Sequence, residues 1–421
     1  MKKVLGTLVI GMLLLVSHLG AGGWNNTLMG CRALGLGAAF VGVADDPSAV
    51  FYNPAGLAFQ QERLALSLDG FYVMPEHIYT LPNGYTAESR YTTSIPQLFL
   101  SYKASERLTL GFGAYIPYAG GGIDWSEKAL GFPFKSYLGV LSLTPSLAFQ
   151  INDWVSIGFN LNFYKGFLNV RTRMDPFGPM EADEVGSSLS FGAGLLLRPL
   201  ENLRFGFSLR APAKMRLEGT TAITVEAPQV GTVKMKLTSS TEFNLPWDLE
   251  AGVAYLPWSN FLLSLSVQYT MWSTLQQVDK TIQNVPFVGT LQEVEVMNFK
   301  NILIFHGGCE FRVAEGFYLR AGLGYDRSAS PAESLNFTNI DVDKFTLLGG
   351  IGYRAGRVTL DFAYVYAQGK ERQKSVITPL GFPALERYNM NVNILGLGAV
   401  SYTHLRAHET RHDLVCRLLL E

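Results

Sequence analysis

The residues with the clearest potential for chemistry lie near the C-terminus, in the sequence His408-Glu409-Thr410-Arg411-His412. Two histidines one helical turn apart with a glutamate between them match H-E-x-x-H, in which the histidines bind zinc and the glutamate activates water. Taken alone, the motif predicts a secreted zinc hydrolase, which metal analysis would reveal. It lies in 403–421, however, after the last predicted strand, and this stretch is similar to translated sequencing-adapter ends found on unrelated environmental gene fragments. We therefore interpret 403–421 as a non-native tail, and we predict no metal site and no enzyme.

Two other chemical signals are weak. Gly35-Leu36-Gly37 resembles part of a dinucleotide-binding loop, but no strand precedes it and no third glycine stands at the required position. Leu28-Met29-Gly30-Cys31 resembles a bacterial lipobox, but residues 22–27 separate it from the apolar run that should directly precede it. A bond between Cys31 and Cys309 is not expected, because Cys309 falls on the lipid-facing side of its strand. We predict no cofactor.

The composition predicts a chain that meets something other than water. Hydrophobic residues make up 48% of the chain and charged residues 16%, against roughly 25% charged residues in a soluble domain. The formal net charge of −1 offers no basic stripe to a nucleic acid. The composition therefore excludes a nucleic-acid partner and favours a membrane.

The N-terminus predicts export. Lys2 and Lys3 precede the apolar run 4–16, and Ser-His-Leu-Gly-Ala follows at 17–21, which together form the three parts of a secretory signal peptide with cleavage after Ala21. The run is too short to span a bilayer as a helix, and no run of about 18 apolar residues follows it. We expect a signal peptide at 1–21 and a mature protein that is either soluble in an exported compartment or a β-barrel.

From residue 63 onward the hydrophobic period is two, which indicates β-strands. In 155–164 the odd positions are apolar and the even positions are Ser, Gly, Asn or Tyr. The same alternation recurs at 141–150, 203–210, 317–325 and 358–366. Each strand therefore has one apolar face and one polar face.

The predicted connections alternate in length. Tight turns are expected at 104–106, 151–153, 200–202, 257–260, 314–316 and 354–356, and long polar loops at 75–89, 118–136, 166–185, 217–245, 273–299, 328–343 and 369–387. Short turns at one end and long loops at the other are typical of an outer-membrane barrel, which has no exposed edges. A soluble sandwich would need a second sheet over each apolar face. We predict an all-β fold, a 14-stranded antiparallel transmembrane β-barrel over 62–402.

Strand parity places a set of ionisable side chains in the lumen: Arg204, Arg210, Asp248, Glu250, His306, Glu310, Arg320 and Asp361. We expect a carboxylate such as Glu310 to satisfy His306. The inward arginines would either bind a substrate carboxylate or pair with the inward acids. Leu395 and Leu397 follow Ile394 and break the alternation, which predicts either a bulge or a locally apolar lumen.

The lumen of so large a barrel is too wide for the wall side chains to fill, so we predict that residues 22–61 plug it. This segment contains RALGLGAAF at 32–40, ADDPSAV at 44–50 and YNPAGL at 52–57. These motifs, with Asp45, Asp46 and the turn Asn53-Pro54-Ala55, resemble the N-terminal hatch of the FadL/TodX family of outer-membrane transporters for hydrophobic compounds. The resemblance covers about residues 22–402.

The resemblance implies a sideways route. Family members are understood to capture an apolar molecule among extracellular loops, hold it inside the barrel and release it into the membrane through a gap at a kinked third strand. That strand is predicted at 107–117, with Gly111, Gly113 and Pro117 as kink candidates, because glycine weakens a strand and proline cannot donate to the ladder. Close packing against the plug is an alternative explanation of the two glycines.

The loop 118–136 carries apolar side chains among turn residues, namely Ile123, Trp125, Leu130, Phe132 and Phe134. Exposed apolar side chains on a loop are unfavourable unless they bind something or pack together. We predict that they form a first capture groove for substrate.

The sequence therefore predicts a monomeric channel in the outer membrane of a Gram-negative bacterium. Its partners would be hydrophobic small molecules such as fatty acids and hydrocarbons, together with membrane lipid and lipopolysaccharide. The alternative is a FadL-like barrel that acts as a docking or secretion accessory protein, since related barrels with a similar N-terminus serve protein export. Uptake of a radiolabelled alkane or fatty acid separates the two.

Overall fold

The structure, a computed structural model, describes residues 24–174, 178–227, 231–286, 289–378 and 381–403. The predicted signal peptide lies outside these residues. So do the tail after Thr403 and its His408–His412 motif.

The barrel consists of fourteen antiparallel strands, six of which have a short break and are given as two segments. In chain order they are β1 (Leu64–Thr80), β2 (Thr86–Arg90 and Thr93–Lys103), β3 (Leu108–Trp125), β4 (Phe134–Asn152), β5 (Val155–Met174), β6 (Gly178–Leu200), β7 (Leu203–Arg210 and Ala213–Ala227), β8 (Gly231–Leu245 and Asp248–Trp258), β9 (Phe261–Thr270 and Gln277–Val285), β10 (Gly289–Val296 and Ile302–Ala314), β11 (Phe317–Asp326), β12 (Lys344–Ala355), β13 (Val358–Gly369 and Arg372–Ile377) and β14 (Pro383–Thr403). Each strand pairs with its neighbours in the chain, and β14 pairs with β1 along the whole of β1. The predicted closed barrel is confirmed.

The helices of the described residues are short. The segment before β1 contains α1 (Cys31–Gly35), α2 (Ala49–Tyr52) and a 3-10 helix (Pro54–Phe59). Beyond it lie α3 (Glu127–Leu130) and single 3-10 turns at Trp272–Thr274 and Ala332–Ser334. No helix in the described residues is long and apolar enough to span a bilayer.

The predicted alternation places apolar side chains on the outer surface of the barrel. On β5, Phe159, Leu161 and Phe163 are exposed, whereas Asn162 and Tyr164 are buried inside. In a membrane these exposed side chains meet lipid hydrocarbon, which is where an apolar outer band belongs.

The long polar loops are mostly strand, which corrects the prediction. In the stretch predicted as a loop at 166–185, β5 continues to Met174 and β6 begins at Gly178. Outside the membrane both faces of a hairpin can be polar, so the period-two pattern disappears although the hydrogen-bonded ladder continues. The stretch 328–343 is a loop, and the six tight turns lie at or next to their predicted positions.

The irregular pattern at the end of β14 reflects an apolar lumen. Ile394 is buried inside, and Leu395 and Leu397 are exposed outside. The pairing of β14 with β1 and β13 runs through these residues without a register shift. Ile394 packs against Phe71 and Cys31, so the second of the two sequence-based alternatives holds.

Candidate functional site: hatch segment, strand gap and lumen

The hatch segment, residues 24–61, lies inside the barrel, and Asn53 fixes the turn near its end. Asn53 Oδ1 accepts a hydrogen bond from Ala55 N at 3.2 Å and caps the 3-10 helix that begins at Pro54. Asn53 Nδ2 donates to Val41 O at 3.0 Å and to Leu195 O of β6 at 3.1 Å. Asn53 therefore ties this turn both to the hatch segment and to the wall.

Glycines on facing positions of neighbouring strands let the hatch segment touch the wall. Gly158 and Gly194 lie opposite each other on β5 and β6. A Cβ at Gly158 would overlap Ala55 N, and a Cβ at Gly194 would overlap Asn53 Oδ1. Two other facing pairs do the same. Gly206 and Gly252 allow Val41 to contact the wall, and Gly308 and Gly322 allow residues 36–37 to do so.

A chain of ion pairs joins the hatch segment to the wall at the tight-turn end of the barrel. Arg32 Nε and Nη2 donate to the two oxygens of Glu310 at 2.9 and 3.0 Å, and Arg32 Nη1 donates to Asp45 Oδ1 at 2.5 Å. Arg320 donates to Glu310 Oε2 and to Asp361 Oδ1, each at 2.6 Å. These residues border a cavity of 390 Å³. The end that would face the periplasm is thus lined by charge.

The two hatch aspartates have different electrostatic surroundings. Partial removal from water would raise the pKa of Asp45, whose side chain is 35% exposed, but the attraction of Arg32 and Arg204 outweighs this and lowers that pKa. At Asp46 burial dominates and raises the pKa, and Oδ1 accepts hydrogen bonds from Ser48 N and Oγ at 2.9 and 2.5 Å. Because the pKa of Asp45 is lowered, its ion pairs persist until the pH falls below the ordinary carboxyl range.

The hydrogen-bonded ladder between β2 and β3 stops partway along β3. It runs from Lys103↔Thr109 to Leu98↔Ala114, while β3 continues to Trp125. Beyond Ala114, β3 stays paired with β4, but its register shifts between Tyr115 and Tyr118. Pro117 lies in that irregularity and has no N–H to donate. The β2–β3 ladder is therefore interrupted over residues 115–123 of β3, and beyond this gap Asp124 N donates to Ser89 Oγ of β2 at 2.7 Å.

Gly111 and Gly113 lie in the paired part of β3, below the gap. A Cβ at Gly111 would stand 2.6 Å from Leu57 Cδ1, and a Cβ at Gly113 would stand 3.0 Å from Val50 Cγ1. Both glycines therefore allow the hatch segment to pack closely against β3.

The first described residues lie along the free part of β3. Asn26 N donates to Pro117 O, and Ala119 N donates to Trp24 O, both at 2.9 Å. Asn26 Nδ2 donates to Ile116 O at 2.7 Å. Residues 24–26 thus give the outer part of β3 main-chain hydrogen bonds where β2 gives none.

Apolar side chains fill the lumen between the hatch segment and the long hairpins. This lumen cluster includes Trp24, Tyr118, Trp125, Phe134, Leu138, Leu168, Met215, Leu217, Phe243, Trp272, Met297, Phe299, Ile302, Ile304, Leu335, Ile340, Tyr388 and Met390, all buried. Trp24 packs edge-to-face on Phe243 and Trp272, at 4.9 and 5.9 Å between ring centroids. The lumen of a water-filled porin is polar. This lumen suits an apolar solute.

The five apolar residues of the predicted loop 118–136 pack at the outer end of this cluster, although Ile123 and Trp125 lie in β3 and Phe134 begins β4. Ile123, Trp125 and Phe134 are buried, and Leu130 and Phe132 are partly buried against them. The rings of Phe132 and Phe134 pack edge-to-face on Phe337 of the β11–β12 loop, at 6.0 and 5.4 Å. Trp125 Nε1 donates to Phe337 O at 2.9 Å. Two loops thus meet over the lumen.

The inward arginines pair with acids. Arg204 Nη1 lies 3.2 Å from Asp45 Oδ2, and Arg210 Nη1 lies 3.5 Å from Asp248 Oδ2. Arg320 is held by Glu310 and Asp361.

The expected pairing of His306 with Glu310 is wrong. Glu310 is engaged by Arg32 and Arg320, whereas His306 Nε2 lies 3.7 Å from Asp326 Oδ1. Cys31 and Cys309 are both free, as expected.

Lys344 is an inward cation that the sequence analysis missed, although the outward positions of Phe345 and Leu347 on the same strand would have revealed it. It borders a cavity of 150 Å³ together with His306 and the apolar Val392 and Ile394. No described carboxylate forms an ion pair with Lys344. Asp326 also lines this cavity, opposite Lys344 in the β11–β12 register and 3.7 Å from His306 Nε2, so the cavity has a charged end and an apolar end.

Comparison with known proteins identifies the family of the chain. The model of the outer-membrane transport protein family (OMPP1/FadL/TodX) matches residues 21–398. The chain belongs to this family. It is thus an outer-membrane protein of a family of transport channels, not an enzyme.

Individual FadL/TodX relatives are distant in sequence but similar over nearly their whole length. Outer membrane protein P1 of Haemophilus influenzae is 22% identical, with 90% of this chain and 94% of that protein covered. The long-chain fatty acid transport protein of Escherichia coli is also 22% identical, over 80% and 86%. The crystal structure of a Pseudomonas aeruginosa FadL homologue has a TM-score of 0.72 at 19% identity, over 92% and 99%, and that of the Pseudomonas putida toluene transporter TodX has a TM-score of 0.71 at 14% identity, over 85% and 94%.

Proposed function

We propose that this FadL/TodX-family chain conducts hydrophobic small molecules, such as fatty acids and hydrocarbons, across the outer membrane by diffusion and releases them sideways into the membrane. The gap between β2 and β3 carries the proposal, because it lies beside the apolar lumen cluster. An apolar solute is more stable in hydrocarbon than in water, so the passage needs no energy source. The names of the relatives, a long-chain fatty acid transport protein and a toluene transporter, support the same substrate class.

A straight path to the periplasm is less suited to such a solute. It would have to cross the cavity bordered by Arg32, Arg320, Glu310 and Asp361, and it would have to displace the hatch segment from the glycines of the wall. Moving an apolar molecule through a charged region gives up the favourable transfer that drives its uptake.

Uptake by cells tests the proposal. The gene is expressed in a Gram-negative strain without a fatty acid transporter of its own, and accumulation of a radiolabelled long-chain fatty acid and a radiolabelled alkane is measured. We expect accumulation only with the gene. Equal accumulation with and without the gene, in cells that contain the folded barrel, would refute the channel.

We propose that the apolar side chains of the β3–β4 hairpin capture the substrate first. Replacing Leu130, Phe132 and Phe134 with serine removes the ring contacts of Phe132 and Phe134 with Phe337 and should slow uptake severalfold, while the barrel still shows its heat-dependent shift on a gel. The control is Phe382→Ser, which changes an exposed phenylalanine on another hairpin. Unchanged uptake in the triple variant would exclude the groove.

We propose that Lys344 binds the carboxylate of a fatty acid while the apolar side of its cavity holds part of the chain. A hydrogen bond to a charged group contributes about 1.5–3 kcal/mol, so Lys344→Met should reduce fatty acid uptake about tenfold and leave alkane uptake unchanged. The control, Lys370→Met, changes an exposed lysine. An equal loss for both substrates would show that Lys344 supports the structure instead of reading the carboxylate.

We also propose that the protein functions as a monomer and that its outer surface contacts membrane lipid and lipopolysaccharide. A single chain closes the barrel, and its outer band is apolar. Light scattering of the detergent-solubilised protein should give the mass of a monomer plus detergent, and a dimer mass would contradict this.

A further inference from the structure

Asp248 is a buried carboxylate at which four separate parts of the molecule meet. It is the first residue of the second segment of β8 and is 5% exposed. Its Oδ1 accepts hydrogen bonds from Thr270 Oγ1 at 2.7 Å and Gln268 Nε2 at 2.9 Å, both on β9. These two contacts anchor the carboxylate on its own side of the barrel.

The other contacts of Asp248 reach across the lumen. Asn25 Nδ2 donates to Oδ1 at 3.4 Å and also to Thr270 Oγ1 at 3.1 Å, and the hydroxyl of Tyr118 donates to Oδ2 at 3.2 Å. Asn25 and Tyr118 form the antiparallel bridge between the first described residues and the outer part of β3. One carboxylate thus contacts both sides of the bridge that lies along the gap.

Arg210 connects the same carboxylate to the centre of the hatch segment. Its Nη1 lies 3.5 Å from Asp248 Oδ2, and its Nη2 donates to Phe51 O at 3.3 Å. The guanidinium also stacks on the ring of Phe51, with 4.4 Å between Cζ and the ring centroid. The bridge, the carboxylate and α2 are therefore linked through polar contacts.

Apolar surroundings make the hydrogen bonds to Asp248 important for stability. Tyr118 belongs to the lumen cluster, and a carboxylate among apolar side chains is unfavourable unless several donors satisfy it. If residues 24–26 leave β3, Asp248 loses Asn25, and if the outer part of β3 moves, it loses Tyr118. Either motion removes one donor from a buried carboxylate, which keeps Thr270, Gln268 and Arg210.

We propose that Asp248 is the positioning residue of the lateral exit, whose carboxylate holds residues 24–26 against the outer part of β3 and keeps the gap closed between passages. The inference rests on the proposed function, because it assigns a latch to the exit named there. It identifies the contact that an entering substrate has to break.

Hydrogen exchange of two amides tests the latch directly. Asn26 N and Ala119 N donate the main-chain bonds between residues 24–26 and β3. Exchange of these amides is measured in the full chain in detergent micelles. In Asp248→Asn, one side-chain oxygen remains for the β9 donors and for Asn25, but the nitrogen in place of the other cannot accept from Tyr118 or Arg210, so the variant releases the β3 side of the bridge. We expect both amides to exchange about tenfold faster, with unchanged resistance of the barrel to heat.

Two further variants complete the test. Tyr118→Phe keeps the ring in the lumen cluster and removes one donor, so the same amides should exchange faster by a smaller factor, which serves if Asp248→Asn does not fold. Glu184→Gln neutralises another buried carboxylate, which lies on β6 near Thr221 and Thr241 and outside the ion pairs of the hatch segment, and it should leave both amides unchanged. Exchange within twofold of the parent protein in Asp248→Asn and Tyr118→Phe, or equal acceleration in Glu184→Gln, would overturn the latch. Uptake is not the readout, so the channel proposal stands or falls separately.

Discussion

Replacing Arg32 with methionine should release the hatch segment from the wall while the barrel stays folded. Arg32 is the cation that joins Asp45 of the hatch segment to Glu310 of β10, and its side chain is 18% exposed. Glu310 keeps Arg320 and Asp45 keeps Arg204 in this variant, so the loss is that of charge-assisted hydrogen bonds, about 1.5–3 kcal/mol. The barrel keeps its ladder of hydrogen bonds, which the substitution does not touch.

Cys31 provides the measurement for this variant. It precedes Arg32 in the chain and is 1% exposed, so a polar maleimide should label it slowly in the parent protein. We expect labelling of Cys31 to accelerate at least tenfold in Arg32→Met, with the labelled site identified by peptide mass spectrometry. This factor corresponds to about 1.4 kcal/mol, less than the expected loss.

The control for Arg32 is Arg354→Met. Arg354 is 45% exposed and lies 3.6 Å from Glu62, so it forms a weak surface ion pair at the same end of the barrel. Its removal should leave Cys31 protected. If Cys31 were equally protected in Arg32→Met, the ion pairs would not hold the hatch segment in place.

The sequence predicts the strands well because each strand separates lipid from lumen. Phe159 and Asn162 differ in polarity for that reason, and the period of two follows directly. The same argument fails at Met174 and Gly178, where β5 and β6 extend beyond the membrane and neither face needs to be apolar. The pattern reports the solvent on each face, so it ends where the membrane ends.

The charged contacts show what parity can and cannot predict. Parity places Glu310, Arg320 and His306 inside, but it does not say which of them meet. A register shift between Arg312 and Ala314 decides this, because a straight count from Ala314↔Phe317 would place Ala321, not Arg320, opposite Glu310. The contact of Arg32 with Glu310 spans 278 residues of sequence, and no local pattern predicts it.

The turn of the hatch segment contacts the wall at two glycines, and Gly194→Val should disrupt this contact. Gly158 and Gly194 face the turn Asn53-Pro54-Ala55, and a side chain at position 194 would occupy the place of Asn53 Oδ1 and stand 2.9 Å from Pro54 Cδ. Overpacking by added methyl groups costs about 1–3 kcal/mol or more, and it would also break the hydrogen bond from Asn53 Nδ2 to Leu195 O. Valine favours a strand more than glycine does, so the wall itself should tolerate the change.

Ion conductance in a planar bilayer distinguishes an unseated hatch segment from an unfolded barrel. The parent protein should conduct poorly, because the hatch segment fills the barrel and the lumen above it is apolar. In Gly194→Val the turn is displaced from the wall, so we expect larger and more frequent ionic currents from a protein that still inserts. The matched control is Gly70→Ala in β1, where an added Cβ meets nothing within 4 Å and currents should stay at the parent level. Parent-level currents in Gly194→Val would mean that the hatch segment keeps the barrel closed without this contact, so that its closure depends on Arg32 and the other glycine pairs.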